Sequence, residues 1–371
     1  MGASRMARQT SKVNRRQFIQ SSTAAAATAI VAPAVVTGQK SDSKLLVGND
    51  AAKFEVQHDF FQLPAGYSWQ TTHNVAVDKA GLIYVIHEGQ AKLKEHPSIF
   101  VFDADGKFVR SFGQQYQGGG HGLEVREEGG QEFLYVTAYQ HLKLFAKLDL
   151  KGEVVWEKYA PMSSEKYAEG EDTDRKKVWG RNRFMPTNFA FAPDGGFYLA
   201  DGYGAWCIHR YDRDVKWISS FGKPGQGDGQ FRLPHGVWWD DRGGRDGSVV
   251  VADRVNGRLQ WFTADGEHKA TKDGFILPAN VDTWGSEMLV PDLSARITLL
   301  DGNNDVLTQL GEDPEWRKEV LKDSFKLRSK PAGWRAGRFL HPHDACYDHD
   351  GNIIVAEWVA TGRVTKLTRV S

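Results

Sequence analysis

Ile99-Phe100-Val101-Phe102-Asp103-Ala104-Asp105-Gly106-Lys107-Phe108-Val109 joins two apolar runs through an Asp-Gly turn, which reads as a β-hairpin. Working outward, residues 81–86 form another β-rich run, and before it stands His73-Asn74-Val75, a small block leading into alternating apolar residues. The same block recurs as His121-Gly122-Leu123, Thr187-Asn188-Phe189, His235-Gly236-Val237, Ala279-Asn280-Val281 and His343-Asp344-Ala345. β-Rich runs follow at 132–138, 196–200, 247–252, 286–291 and 351–356, and most are followed in turn by a further strand and hairpin. A unit of about 45 residues with four short strands is a propeller blade. The chain is therefore expected to be all-β, a six-bladed β-propeller.

Closure of the ring removes the open sheet edges that template aggregation. It falls to a strand near residues 44–47 or one near 54–58, completing the last blade. Two spacings exceed the others and locate insertions at 162–183 and 312–338. Each joins an outer strand to the next inner strand, so both belong to the face where inner strands begin. Pro314-Glu315-Trp316-Arg317-Lys318-Glu319-Val320-Leu321 predicts a short helix in the second.

The 371 residues carry 47 basic and 47 acidic side chains, with 39 Gly and 12 Trp. Zero net charge argues against a nucleic-acid partner, and 40% hydrophobic residues exclude a disordered chain. Cys207 and Cys346 are too few for a disulfide scaffold, and as a pair they can be bridged or free.

Residues 1–34 read as a twin-arginine (Tat) signal. Arg15-Arg16 precedes Phe18-Ile19, a short Ala-rich run follows, and Ala32-Pro33-Ala34 offers a cleavage site. Residues 35–371 are then the exported propeller, periplasmic or extracellular. No further hydrophobic stretch approaches membrane length.

The first residue of each block points near the propeller axis. His121, His235 and His343 stand on alternate blades, about 120° apart for six blades. Three converging imidazoles with a free fourth position suit catalytic zinc. His73, on the first blade, interrupts the alternation.

The run Phe221-Gly222-Lys223-Pro224-Gly225-Gln226-Gly227-Asp228-Gly229-Gln230-Phe231-Arg232-Leu233-Pro234-His235-Gly236-Val237, followed by Val251-Ala252-Asp253-Arg254-Val255-Asn256-Gly257-Arg258, resembles an NHL repeat. With Pro186-Thr187-Asn188, Ala200-Asp201-Gly202-Tyr203 and Pro342-His343-Asp344, residues 70–371 are most similar to the peptidyl-alpha-hydroxyglycine alpha-amidating lyases. The resemblance implies a zinc-dependent lyase that releases a peptide amide and glyoxylate. It implies zinc on His121, His235 and His343, Tyr203 as the base, and Arg254 on the substrate carboxylate. It also implies channel calcium on Asp344 and on backbone carbonyls near Val75 and Leu123. The substrate is accordingly a small molecule or a peptide C-terminus.

Departures bear on that substrate. His87-Glu88-Gly89 stands where the family has His-Arg-Gly, and His341 replaces a methionine before Pro-His-Asp. The family's paired cysteines are also missing. Two other readings compete with the lyase. One is a calcium-dependent lactonase-like hydrolase using Asn74, Asn188, Asn280 and Asp344. The other is a non-catalytic propeller that binds a protein or glycan partner on its insertion face, with tryptophans such as Trp358 as platforms.

Overall fold

A computed structural model describes residues 44–370. Six antiparallel sheets make six blades, so the repeat reading holds. Blade 1 comprises Thr72–Val77, Ile83–His87, Ile99–Phe102 and Phe108–Phe112, and blade 2 comprises Gly120–Glu128, Gln131–Ala138, Leu144–Asp149 and Val154–Lys158. Blade 3 comprises Phe189–Phe191, Phe197–Asp201, Cys207–Tyr211 and Trp217–Phe221, and blade 4 comprises Pro234–Asp240, Ser248–Asp253, Arg258–Phe262 and His268–Asp273. Blade 5 runs through Asp282–Trp284, Glu287–Asp292, Arg296–Leu300 and Val306–Leu310. Blade 6 has Pro342–Tyr347, Ile353–Glu357 and Arg363–Arg369 from the C-terminal end.

Both closing segments are used. Lys53–Gln57 pairs with Arg363–Arg369 as the fourth strand of blade 6, and Leu46–Gly48 adds a fifth outside it. The twin-arginine signal lies outside the described residues. Among those described, no helix is long and apolar enough to cross a membrane.

Alternating strand residues face opposite sides of a sheet, so each blade buries both faces against its neighbours. The core is correspondingly a ring of clusters, one between each pair of adjacent blades. Between blades 5 and 6, for example, Leu289, Ile297 and Leu299 meet Val355, Leu367 and Phe54. The predicted helix is present at Pro314–Leu321. Asp313 caps it by accepting from the Trp316 amide (3.0 Å), and Trp316 and Val320, four residues apart on one face, are buried in the same cluster.

A buried acid ends the second strand of blades 3 to 6 and ties down the loop that enters its own blade. Asp201 accepts from the Met185 amide (2.8 Å), Asp253 from Arg232 (2.7 Å), Asp292 from Leu277 (3.0 Å) and Glu357 from Leu340 (2.7 Å). In blades 4 and 6 an arginine of the third strand neutralises it, Arg258 on Asp253 (2.9 Å) and Arg363 on Glu357 (2.6 Å). Blade 3 has Cys207 instead, and Tyr167 from the first insertion donates to Asp201 (2.8 Å). Both cysteines are free thiols.

Phe54 is fully buried in the closing strand, so Phe54→Ala removes ring-closing packing. We expect it to lower the unfolding free energy in urea by about 3–5 kcal/mol. Val155→Ala, on an exposed outer strand, should stay within about 0.5 kcal/mol of the parent.

Candidate functional site

The first ladder of blades 1, 2, 4 and 6 breaks register at the histidine. The shifts fall between Thr72 and Asn74, Gly120 and Leu123, Pro234 and Val237, and Pro342 and Asp344. The first ladders of blades 3 and 5, which lack the histidine, pair without a shift. A bulge re-aims the side chain at its own position, and here it gathers imidazoles. Ring centroids of His121 and His235 are 4.8 Å apart, those of His235 and His343 4.6 Å, and those of His121 and His343 5.0 Å.

The next blade orients each ring. His121 Nδ1 lies 3.0 Å from the Thr187 carbonyl, His235 Nδ1 2.7 Å from that of Ala279, and His343 Nδ1 2.7 Å from that of His73. In two cases glycine permits the approach. A Cβ on Gly122 would stand 2.2 Å from the Thr187 oxygen, and one on Gly236 would stand 2.4 Å from Asn280 Cα. Carbonyls only accept, so each Nδ1 carries the proton and each Nε2 keeps a lone pair. Burial holds all three imidazoles well below their ordinary pKa, and they are neutral.

Two of those lone pairs face each other, with His121 Nε2 and His235 Nε2 3.1 Å apart. His343 Nε2 is buried without a partner. Ligating histidines place Nδ1–H on a carbonyl or carboxylate and direct Nε2 at the ion, so this donor set fits a borderline divalent metal such as zinc.

Above the imidazoles runs a second ring, made by residues just past the second strands: Glu88, Tyr139, Tyr203, Arg254, Leu293 and Trp358. The Tyr203 hydroxyl lies 3.1 Å from His235 Nε2 and 3.4 Å from His121 Nε2, and it accepts from Arg254 Nη1 at 3.3 Å. Burial raises the Tyr203 pKa, and the Arg254 charge partly offsets this. Arg254 is 5% exposed, and its Nε and Nη2 have no partner. A pocket of about 340 Å³ opens here, with Tyr203, Arg254 and His343 facing Leu277, Leu293, Phe325 and Trp358. Phe325 comes from the second insertion, and the exposed Trp179 of the first stands edge-on over Tyr203 at 5.8 Å.

Glu88 accepts a hydrogen bond from Gln140, and its Oε2 is 3.4 Å from His73 Nε2. A cation is nevertheless close by. Arg328, from the second insertion, stacks on Trp358 at 3.4 Å, and the Glu88 carboxylate acts on its charge. His341 lies to one side, with Nδ1 on the Leu293 carbonyl (2.7 Å) and its ring against Phe325 (5.1 Å).

Deeper along the inner strands the channel turns acidic. Asp344 accepts from the Val75 amide (2.8 Å) and from Asn280 Nδ2 (2.5 Å), while Glu124 accepts from Asn188 Nδ2 (3.0 Å). These groups and Asp282 line a cavity of about 110 Å³ or adjoin it. The Val75 and Leu123 side chains pack into the clusters between blades. Asn74, Asn188 and Asn280 each leave a buried Oδ1 unpartnered. Glu124 and Asp282 escaped the sequence reading; their signal is an acid placed three residues after the first block residue, inside an apolar inner strand.

A further group, Asp201, Cys207 and His209, is close enough to hold an ion. Trp217 Nε1 donates to His209 Nδ1 (3.1 Å), which puts the ring proton on Nε2, 2.5 Å from the Tyr167 hydroxyl. With Asp201 occupied by backbone amides, the group is a satisfied polar core.

No family model matches the chain. Peptidyl-glycine alpha-amidating monooxygenase A of Xenopus laevis is 28% identical over 182 residues, 48% of this chain and 18% of that protein. Peptidyl-alpha-hydroxyglycine alpha-amidating lyase 1 of Drosophila melanogaster is 28% identical over 192 residues, 48% of this chain and 34% of that protein. The matched stretch thus spans 18% and 34% of these relatives' length. Among solved structures, a streptogramin B lyase superposes with a TM-score of 0.53 at 14% identity, covering 85% of this chain and 98% of the other. A gluconolactonase from Xanthomonas campestris gives 0.53 at 12% identity, covering 89% and 96%. At such identities the likeness is one of fold.

Burial pushes Asp344 and Asp282 up to about 7, and burial together with those two neighbours raises Glu124 well above the carboxylate range. Folded-state values above the unfolded value of about 4 mean that the folded state binds more protons. The stability these groups contribute is complete below about pH 4 and is lost as pH rises through about 7. The buried neutral histidines act in the opposite sense over this range, so the effect is read as a difference: in urea unfolding without added metal, the stability of the parent relative to Glu124→Gln should fall between pH 5 and 8. An unchanged slope in that variant would remove Glu124 from the effect.

Proposed function

We propose that this chain is an exported metal-dependent lyase whose substrate carries a hydroxyl, a carboxylate and an amide nitrogen on one carbon, as in a peptide ending in α-hydroxyglycine. The observation that carries it is the convergence of the His121 and His235 Nε2 lone pairs beside the Tyr203 hydroxyl, which Arg254 holds. The partial similarity to the amidating enzymes supports the same reading.

The unpartnered Nε and Nη2 of Arg254 present a two-pronged donor to a carboxylate. With the carboxylate there, the adjacent hydroxyl falls beside Tyr203. In its phenolate form Tyr203 accepts the hydroxyl proton, the O–H electrons form the carbonyl, and the C–N bond breaks. Returned to the departing nitrogen, that proton gives the amide and restores the phenolate. Held by His121, His235 and His343, a zinc ion would supply Lewis-acid polarisation of the substrate oxygen and electrostatic help in ionising Tyr203. Leu277, Leu293, Phe325 and Trp358 shield the step from water and receive the apolar remainder of the substrate.

The acidic end of the channel supports a second ion, calcium, on Asp344, Glu124 and the asparagine oxygens, all hard oxygen donors. Bound there, it would brace the inner strands that carry these residues. The mouth between the two insertions, with Trp179 exposed, is where a peptide or protein partner would approach.

Elemental analysis of the purified chain should find about one zinc per chain, lost in His235→Ala. Tyr203→Phe should keep the metal and lower turnover of an α-hydroxyglycine peptide by at least about 100-fold. Unchanged turnover would remove Tyr203 from the chemistry, and absence of transition metal from the parent would overturn the metal reading.

A further inference from the structure

We infer that His73 is a fourth donor to the axial centre, held there by Glu88, so that this chain builds a four-histidine site. The inference rests on the metal reading above and goes beyond its three ligands. His73 begins the inner strand of blade 1 at the same kind of register break as the other three. Its ring centroid is 4.8 Å from that of His121 and 4.6 Å from that of His343, and one donor atom from each of the three lies within 4.8 Å of the others.

The polar atoms of His73 have no other use. The residue is 1% exposed, and neither ring nitrogen has a hydrogen-bond partner. A buried imidazole with both nitrogens idle forfeits the solvation of each. The three other axial rings spend one nitrogen on a neighbouring carbonyl. His73 has no such carbonyl, but Glu88 Oε2 lies 3.4 Å from its Nε2, and Gln140 holds the other carboxylate oxygen. A proton on the nitrogen that faces Glu88 leaves the other with a lone pair among the axial imidazoles. This is the carboxylate–histidine arrangement that orients ligating rings. One contact then accounts for two oddities of the sequence, an anion where the resemblance implies arginine and a histidine that breaks the alternate-blade pattern.

Four imidazoles fill a tetrahedron. A substrate oxygen can still reach the centre only on an ion that accepts five or six ligands, such as Fe²⁺, Co²⁺ or Ni²⁺, or on zinc with an expanded shell.

The full chain, stripped by a chelator and titrated with Co²⁺, gives a readout independent of activity, because four-coordinate Co²⁺ absorbs visible light several times more strongly than five- or six-coordinate Co²⁺. His73→Ala should shift the visible band, as a nitrogen donor gives way to water, and weaken Co²⁺ binding by at least about 10-fold, and Glu88→Gln should weaken binding by about 10–100-fold. Far-UV circular dichroism checks that each variant is folded, and Glu88→Gln carries the test if His73→Ala is not. Co²⁺ binding of unchanged affinity and band in these variants, alongside its loss in His235→Ala, would overturn the fourth ligand and leave the three-histidine site standing. No Co²⁺ binding by the parent would overturn both.

Discussion

Four buried carboxylates decide where inner strands begin. Asp201, Asp253, Asp292 and Glu357 each sit at the end of a second strand and accept the amide of a residue two or three places ahead of the block that opens their own blade. An ionised group removed from water needs several donors to be tolerated, and the loop amides are among those donors. Each loop thereby enters the channel at a set height, and the first block residue follows at the axis. The arginines on Asp253 and Glu357, and Tyr167 on Asp201, keep that anchor neutralised or hydrogen-bonded.

Upon this anchoring the bulges and glycines build the site. The same step that breaks register turns a histidine toward the axis, and the carbonyl of the next blade receives its Nδ1 proton. In two blades that carbonyl comes so close that only glycine can follow the histidine. The propeller's asymmetry is therefore chemical. Blades with the bulge supply nitrogen lone pairs, and the blades between them supply the carbonyls that orient two of the three rings tied in this way.

Charge is separated along the channel. Neutral imidazoles occupy the end beneath the insertions, and carboxylates with asparagine oxygens occupy the deeper end. Soft-to-borderline nitrogen donors and hard oxygen donors suit different ions, and the few residues between them keep the two sets distinct. The mouth is divided as well. Glu88, Tyr139, Tyr203 and Arg254 form a polar arc, while Leu293 and Trp358 with Phe325 form an apolar one, so a substrate with one charged and one greasy end has a single orientation open to it.

Periodicity alone makes the architecture legible in the sequence. Blocks recurring at blade length, Asp-Gly turns and alternating apolar residues are local signals, and they determined six blades, the helix at Pro314–Leu321 and the axial position of His121, His235 and His343. The tertiary structure alone decided what stands beside them. Glu88 against His73, Arg328 over Trp358, Phe325 across from Arg254, and Glu124 near Asp344 are contacts between residues far apart in the chain. Nothing in the repeat encodes them, because they depend on where strand-end residues and the inserted segments come to rest around the axis. Even both candidate closing strands found a place, since a sheet edge can accept one strand more than the repeat requires.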